Sequence, residues 1–345
     1  MPVVVNGNQA QVVWTSKKSS RPVGSTTENP EHISIALINN MPDAALEDTE
    51  SQFFDLLNNA AADSSVVQIK LYSLPGIPRT ERGEAHLNEN YFDIDDLLNN
   101  RFDGVIVTGT EPCHSDLKSE RYWPALSRVL DWAERNTHSA VLSCLAAHAS
   151  VLYSDGIFRH QLGEKQFGVF EYKKKTDNHL IKHLVEVVHT PHSRWNEVSE
   201  AELLECGYTI LTSSSRDGVN SFAKQKRDSL FVHFQGHPEY STETLLKEYR
   251  RDIKRYLRHE RETYPSMPQG YFTFAVARML TDFRNAVLCD PGDNIMTSFP
   301  ELPINEPPRN TWAASSFGIY RNWLDYLVSK KAARSVPVAV TRMTS

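Results

Sequence analysis

A chain of 345 residues with a formal net charge of −6 is long enough for one large domain or two ordinary ones, and gives no electrostatic reason to meet nucleic acid or an anionic membrane. Hydrophobic and charged fractions of 40% and 23% are those of a globular chain whose partners are small molecules, and no apolar run approaches the ~20 residues that span a bilayer. Cys113, Cys144, Cys206 and Cys289 stand far apart with no C-x-x-C pair; they indicate neither a zinc knuckle nor a disulfide framework, and with a polar N-terminus they predict a cytoplasmic location.

In chain order, residues 1–31 lack periodicity apart from a short strand at 12–14 and read as an N-terminal arm. A buried strand at 33–38 ends in the loop 39–42; a helix follows with Leu46, Phe53, Phe54, Leu56 and Leu57 on its apolar face and Asp48 at its cap, the residues 43–48 before it being loop. Further strands are expected at 66–72, 104–107 and 140–143, separated by a Pro- and Arg-rich loop at 75–84, a weak helix at 87–100 and an amphipathic helix around Trp123 to Ala133. Downstream, 168–172 runs into a Lys173-Lys174-Lys175 stretch read as a solvated edge; strands at 208–212 and 230–234 flank a turn, and a long helix covers 243–261. The remainder is irregular until a helix at 312–328.

Strands alternating with helices at this spacing predict an α/β fold: a mostly parallel sheet with helices on both faces and a C-terminal helical extension. The expected divisions are the arm at 1–31, a main domain at 32–262 and an extension at 263–345 packing on it. Such sheets bind ligands beyond the carboxyl ends of their strands, which is where the loops 39–42 and 109–114 and Cys144 fall.

Cys144 ends an apolar strand and opens a run of small helix formers, Leu145-Ala146-Ala147. The unpaired N–H groups of a helix start favour a thiolate and can hold an oxyanion, so this is a position for a nucleophile as well as for an ordinary buried cysteine. A nucleophile needs a base and the base an orienting partner; His237 and Glu239, set either side of a rigid proline after a strand, are the candidates. His114, His148, His192 and His233 compete for the role or serve structure. No H-E-x-x-H, P-loop, G-x-G-x-x-G or G-x-S-x-G pattern is present, so the sequence supports neither a metal site nor nucleotide binding nor a serine hydrolase.

The turn Asn39 to Pro42 with Thr49-Glu50-Ser51-Gln52-Phe53, the run from Phe102 to Gly109, Tyr122-Trp123, Cys144, Lys165, Gly168-Val169, Pro191-His192-Ser193-Arg194, Gly236-His237-Pro238-Glu239-Tyr240, Arg251-Asp252 and Asn322-Trp323-Leu324 stand in order. In these motifs the chain resembles homoserine O-acyltransferases of the homoserine transsuccinylase type, whose fold is similar to class I glutamine amidotransferases. The resemblance implies a catalytic triad of Cys144, His237 and Glu239, with Lys165, Ser193 and Arg251 binding substrate. It also implies acetyl-CoA or succinyl-CoA as co-substrate with no bound cofactor, homoserine as acceptor in the methionine branch, and a homodimer. L-serine or another hydroxylated amino acid is the alternative acceptor; a glutamine amidotransferase-like hydrolase is the alternative reaction, although Ser143 and Ala146 stand where that class has glycines. A non-catalytic amino-acid or coenzyme A binding protein is the third reading. The chain departs from the family at 43–48, at Leu145 and at His148. At Cys113, the position that chooses the donor, the family has glutamate with acetyl and glycine with succinyl; cysteine leaves the choice open.

Overall fold

The strands at the centre of the molecule are short runs of β-branched and small residues buried on both faces, such as Gly104 to Val107 and Ser139 to Ser143, the composition of a parallel sheet covered on each side. A computed structural model describes residues 3–6, 11–14, 31–61, 65–290, 295–303 and 306–335. In chain order the elements are β1 (Val3–Asn6), β2 (Gln11–Trp14), β3 (Glu31–Ile38), α1 (Asp43–Ala60), β4 (Ser65–Tyr72), α2 (Glu81–Asn90), α3 (Ile94–Asn99), β5 (Gly104–Val107), α4 (Trp123–Asn136), β6 (Ser139–Ser143) and α5 (Leu145–Asp155). They continue with β7 (His160–Lys174), β8 (Val187–Glu197), α6 (Glu200–Glu205), β9 (Thr209–Ser214), β10 (Gly218–Lys226), β11 (Ser229–Phe234), α7 (Thr244–Leu257), α8 (Phe274–Cys289) and α9 (Ala313–Ser335).

Among the described residues the strands form one sheet in the order β2-β1-β4-β3-β5-β6-β11-β10-β9-β7-β8. The run from β1 to β11 is parallel throughout; β2 at one end and β10, β9, β7 and β8 at the other are antiparallel. Alternation along each central strand separates two cores. Ile35, Leu37, Ile106 and Val141 face Phe53 and Leu57 of α1 and Trp323 and Leu327 of α9. Their neighbours Ala36, Ile38, Val105, Val107, Ala140 and Leu142 face Val129 and Leu130 of α4 and Ala146 and Ala149 of α5. A third cluster joins α7 and α8 through Leu245, Tyr249, Ile253, Val276, Leu280 and Phe283.

The two-faced, mostly parallel sheet and its C-terminal helix agree with the sequence reading, with local corrections. Residues 43–48 are not loop: α1 begins at Asp43 after Pro42, so Asp48 lies inside the helix. Asp43 takes hydrogen bonds from the Thr80 backbone N–H and hydroxyl, both at 2.7 Å, which ties the start of α1 to the start of α2. The weak helix at 87–100 is two helices, each with its own cap, Thr80 for α2 and Asp93 for α3. The lysine run is not an edge, since Lys173 pairs with Val187 on one side and Ser213 on the other; β8 is the edge. β1 and α8 were absent from the sequence reading. Among the described residues no helix is long and apolar enough to cross a membrane.

Candidate active site

β6 delivers Cys144 to the point where the chain turns into α5, with φ 52° and ψ −114° at the cysteine. A non-glycine residue held there carries strain on the order of 1–3 kcal/mol. Its neighbours hold it: the Cys144 N–H donates to Phe234 O at 2.7 Å, and its carbonyl accepts from Ala147 N at 3.0 Å and His148 N at 3.3 Å. The sharp turn lifts the thiol out of the strand and sets it over the first unpaired N–H groups of α5. Gly109, at the end of β5, closes this side. A side chain there would place its Cβ 3.1 Å from Leu145 N, so glycine is what leaves that N–H open to a ligand.

β11 lies parallel to β6 with Phe234 beside Ser143, which sends the following residues past the cysteine. The His237 N–H is anchored on Pro191 O at 2.9 Å. Its Nδ1 meets Glu239 Oε1 at 2.8 Å, and that oxygen also accepts from the Ser143 hydroxyl at 3.3 Å. Cys144 is close enough for its charge to act on the imidazole. The Tyr240 ring stacks on His237 at a centroid distance of 4.2 Å. Burial works against a charge on His237, but the charges of Cys144 and Glu239 and the hydrogen bond to Glu239 overcome it and raise the pKa well above the ordinary value. The structure thus places His237 against Glu239 and within reach of the charge of Cys144, which stands at the start of α5.

The competing histidines are otherwise placed. His148 and His233 are fully buried and burial, above all, lowers each to about 3; His192 is driven well below its ordinary value by burial and then by Arg194. Neutral His148 donates from Nε2 to Gln235 Oε1 at 2.9 Å. That same oxygen takes the Val198 N–H at 3.0 Å, while Gln235 Nε2 donates to Val219 O at 2.6 Å. Gln235 thus braces the loop that carries His237, a role with no signal in the sequence. His114 sits on an exposed loop.

Lys165, Ser193 and Arg251 are brought together by two carboxylates of α7: Asp252, which the sequence reading noted only as part of a motif, and Glu248, which it passed over. Lys165 Nζ lies 3.0 Å from Asp252 Oδ2, and Arg251 reaches Asp252 Oδ1 from Nε and Nη2, both at 3.2 Å. The Ser193 hydroxyl donates to Glu248 Oε2 at 2.5 Å, and Tyr240 donates to the other oxygen at 2.5 Å. Burial would raise the Asp252 pKa, but Lys165 and Arg251 hold it below the usual value. The outcome is a cluster with carboxylates and cations side by side, linked to His237 through Tyr240.

Cys113 is exposed, on the loop after β5. That loop is clamped: Glu111 takes a bidentate pair from Arg255 of α7 at 3.1 and 3.2 Å, and the His114 N–H donates to Glu120 Oε1 at 2.6 Å. Among the described residues no three His, Cys, Asp or Glu side chains are grouped to hold a metal ion.

The family model described as homoserine O-succinyltransferase matches residues 10–334. The chain is similar to the homoserine O-succinyltransferase of Bradyrhizobium japonicum, 41% identical over 299 residues that cover 87% of this chain and 91% of that protein. It is 40% identical over 298 residues to that of Rhodopseudomonas palustris, covering 86% of this chain and 89% of the relative. Among solved structures, a glutamine amidotransferase from Thermotoga maritima aligns over 86% of this chain and 99% of its own, with a TM-score of 0.48 and 12% identity. The extent of the family match and the identity to these relatives show that the chain belongs to the homoserine O-succinyltransferase family, a family of acyltransferases.

Proposed function

We propose that this chain moves an acyl group from acyl-CoA to the hydroxyl of homoserine through a thioester on Cys144, as a step of amino-acid biosynthesis in the methionine branch. The observation that carries the reading is the pairing of His237 with Glu239 at 2.8 Å beside Cys144 at the N-terminus of α5. The Cys144 thiolate, paired with protonated His237, attacks the thioester carbon, and the negative oxygen that forms is held by the Leu145 N–H beside Gly109. The carbon–sulfur bond to coenzyme A breaks and the departing thiolate takes the His237 proton. Neutral His237, held by Glu239, then removes the acceptor's hydroxyl proton as that oxygen attacks the acyl carbon; Cys144 leaves as thiolate and the ion pair is restored.

The wall of α7 supplies what a zwitterionic amino acid needs. Arg251 and Lys165 suit its carboxylate, while Glu248, accepting from Ser193 and Tyr240, suits its ammonium group. The family name supports succinyl as the group carried.

The test is intact-mass measurement after mixing the protein with succinyl-CoA or acetyl-CoA without acceptor. A mass increase of one acyl group, removed by added homoserine and absent in Cys144→Ala, is the expected result. No adduct with either donor sinks the reading.

A further inference from the structure

Cys144 and His237 belong to different elements, and a nucleophile works with its base only while the two are held at a fixed separation. The first link between them is a backbone bond, from the Cys144 N–H at the start of α5 to Phe234 O at the end of β11, at 2.7 Å. One bond alone is a pivot. The second link is His148, whose Nε2 lies 2.9 Å from Gln235 Oε1. The His148 N–H closes the first turn of α5 on Cys144 O at 3.3 Å, so this contact stands one helical turn, about 6 Å of rise, beyond the nucleophile. Two links that far apart fix direction as well as distance.

The donor in the second link is settled by its neighbours. Gln235 Nε2 is committed to Val219 O at 2.6 Å, so Oε1 faces His148 and needs a proton from it. Burial, above all, keeps the imidazole neutral, and Nε2 carries that proton. Gln235 is 0% exposed and His148 4%, so bulk water does not compete for the bond. Across the segment, β8 leaves no slack. The His237 N–H is held by Pro191 O at 2.9 Å, and a Cβ at Gly236 would come within 2.5 Å of Thr190 Cγ2 and 2.6 Å of His192 Nε2. The stretch 234–237 is thus held from β8 on one side and from α5 on the other. Among the described residues, His148 is the one side chain of α5 that hydrogen-bonds to it.

We infer that His148 is a positioning residue: acting through Gln235, it fixes where His237 stands relative to Cys144. This role rests on the acyl-transfer reading above and adds to it a residue that acts without meeting substrate. What the position requires is a donor at the reach of imidazole Nε2. The glutamine amide nitrogen has about that reach, whereas that of asparagine falls short by one carbon–carbon bond, about 1.5 Å.

The test compares the wild type with His148→Gln and His148→Asn, two amides of equal polarity and unequal reach. Alkylation of Cys144 by iodoacetamide at neutral pH, followed by the mass of its peptide, reads the pairing with His237 without any acyl donor. Single-turnover acylation by succinyl-CoA reads the reaction. Since a 1 Å misplacement costs up to about 100-fold, both rates fall about 10-fold or more in His148→Asn and stay within about 3-fold of wild type in His148→Gln, while KM for homoserine moves less than about 2-fold in either. A His148→Asn protein that is alkylated and acylated at the wild-type rate overturns the role, whatever its melting temperature. Equal slowing in the two variants overturns it too. If His148→Asn does not fold, His148→Gln carries the test, and a folded His148→Gln slowed about 10-fold overturns the role. The expected alkylation pattern with no acyl adduct in the wild type upholds the positioning and removes the acyl-transfer reading.

Discussion

Tyr240 serves His237 and Glu248 at once: its ring is stacked on the imidazole at 4.2 Å and its hydroxyl donates to the carboxylate at 2.5 Å. The group proposed to move protons and the group proposed to hold the acceptor are thus positioned by one side chain. Tyr240→Phe keeps the stacking and removes the hydrogen bond. Loss of one charge-assisted bond predicts that KM for homoserine rises about 10-fold, while stopped-flow acylation from the acyl donor stays within about 2-fold of wild type. A variant slowed equally in both half-reactions would contradict this division.

The His237 proton depends on its neighbours. Burial alone would strip it; Cys144 and then Glu239 retain it. Wild-type His237 therefore shows no titration near the ordinary value of about 6.5 in an NMR pH series. In Cys144→Ala the larger of the two charges is gone and its pKa falls. Because folding raises this pKa, the stabilisation is complete below about 6.5 and is lost as pH rises through the folded value.

Gly109 has no room for a methyl group without crowding Leu145, whose N would lie 3.1 Å and whose Cβ 3.3 Å from the added Cβ. Gly109→Ala displaces the N–H that faces the developing oxyanion. Turnover falls roughly 10- to 100-fold, in line with the value of oxyanion donors, and circular dichroism and melting temperature change little. Unaltered kcat would show that the negative oxygen is held elsewhere.

On the opposite side of the sheet, Trp323 of α9 is 1% exposed and donates from Nε1 to Ser139 Oγ at 2.9 Å. A Cβ at Gly104 would come within 2.8 Å of its ring. Trp323→Ala empties this contact and should cost about 3–5 kcal/mol of stability in denaturant unfolding. A loss under about 1 kcal/mol would mean the helix is only loosely docked.

Much of the site was legible because its parts close short strands. Cys144 and His237 follow β6 and β11, and parallel neighbours bring the ends of such strands together whatever lies between them in sequence. The part played by the carboxylates that gather Lys165, Ser193 and Arg251 was not legible, although Asp252 stood in a motif. Glu248 and Asp252 sit in a helix rich in charge, where periodicity alone does not distinguish a pocket wall from a solvated face. Gln235 acts through backbone groups distant in sequence, which leaves no local pattern. β1 pairs through four residues with β4, too short a run to stand out. The apolar positions of α8, Val276, Leu280, Phe283 and Val287, do recur at helical spacing, but arginines and an exposed Phe274 blur the stripe.

α9 covers one face of the parallel strands with Tyr320, Trp323, Leu324 and Leu327, residues that come last in chain order among the described helices. β3, β5 and β6 precede α9 in the chain, and the side chains they turn to this face have it as part of their cover. The turn at Cys144 lies between that sheet and α5, so the strand that leads into Cys144 is covered on this face by the last of the described helices, far from it in sequence.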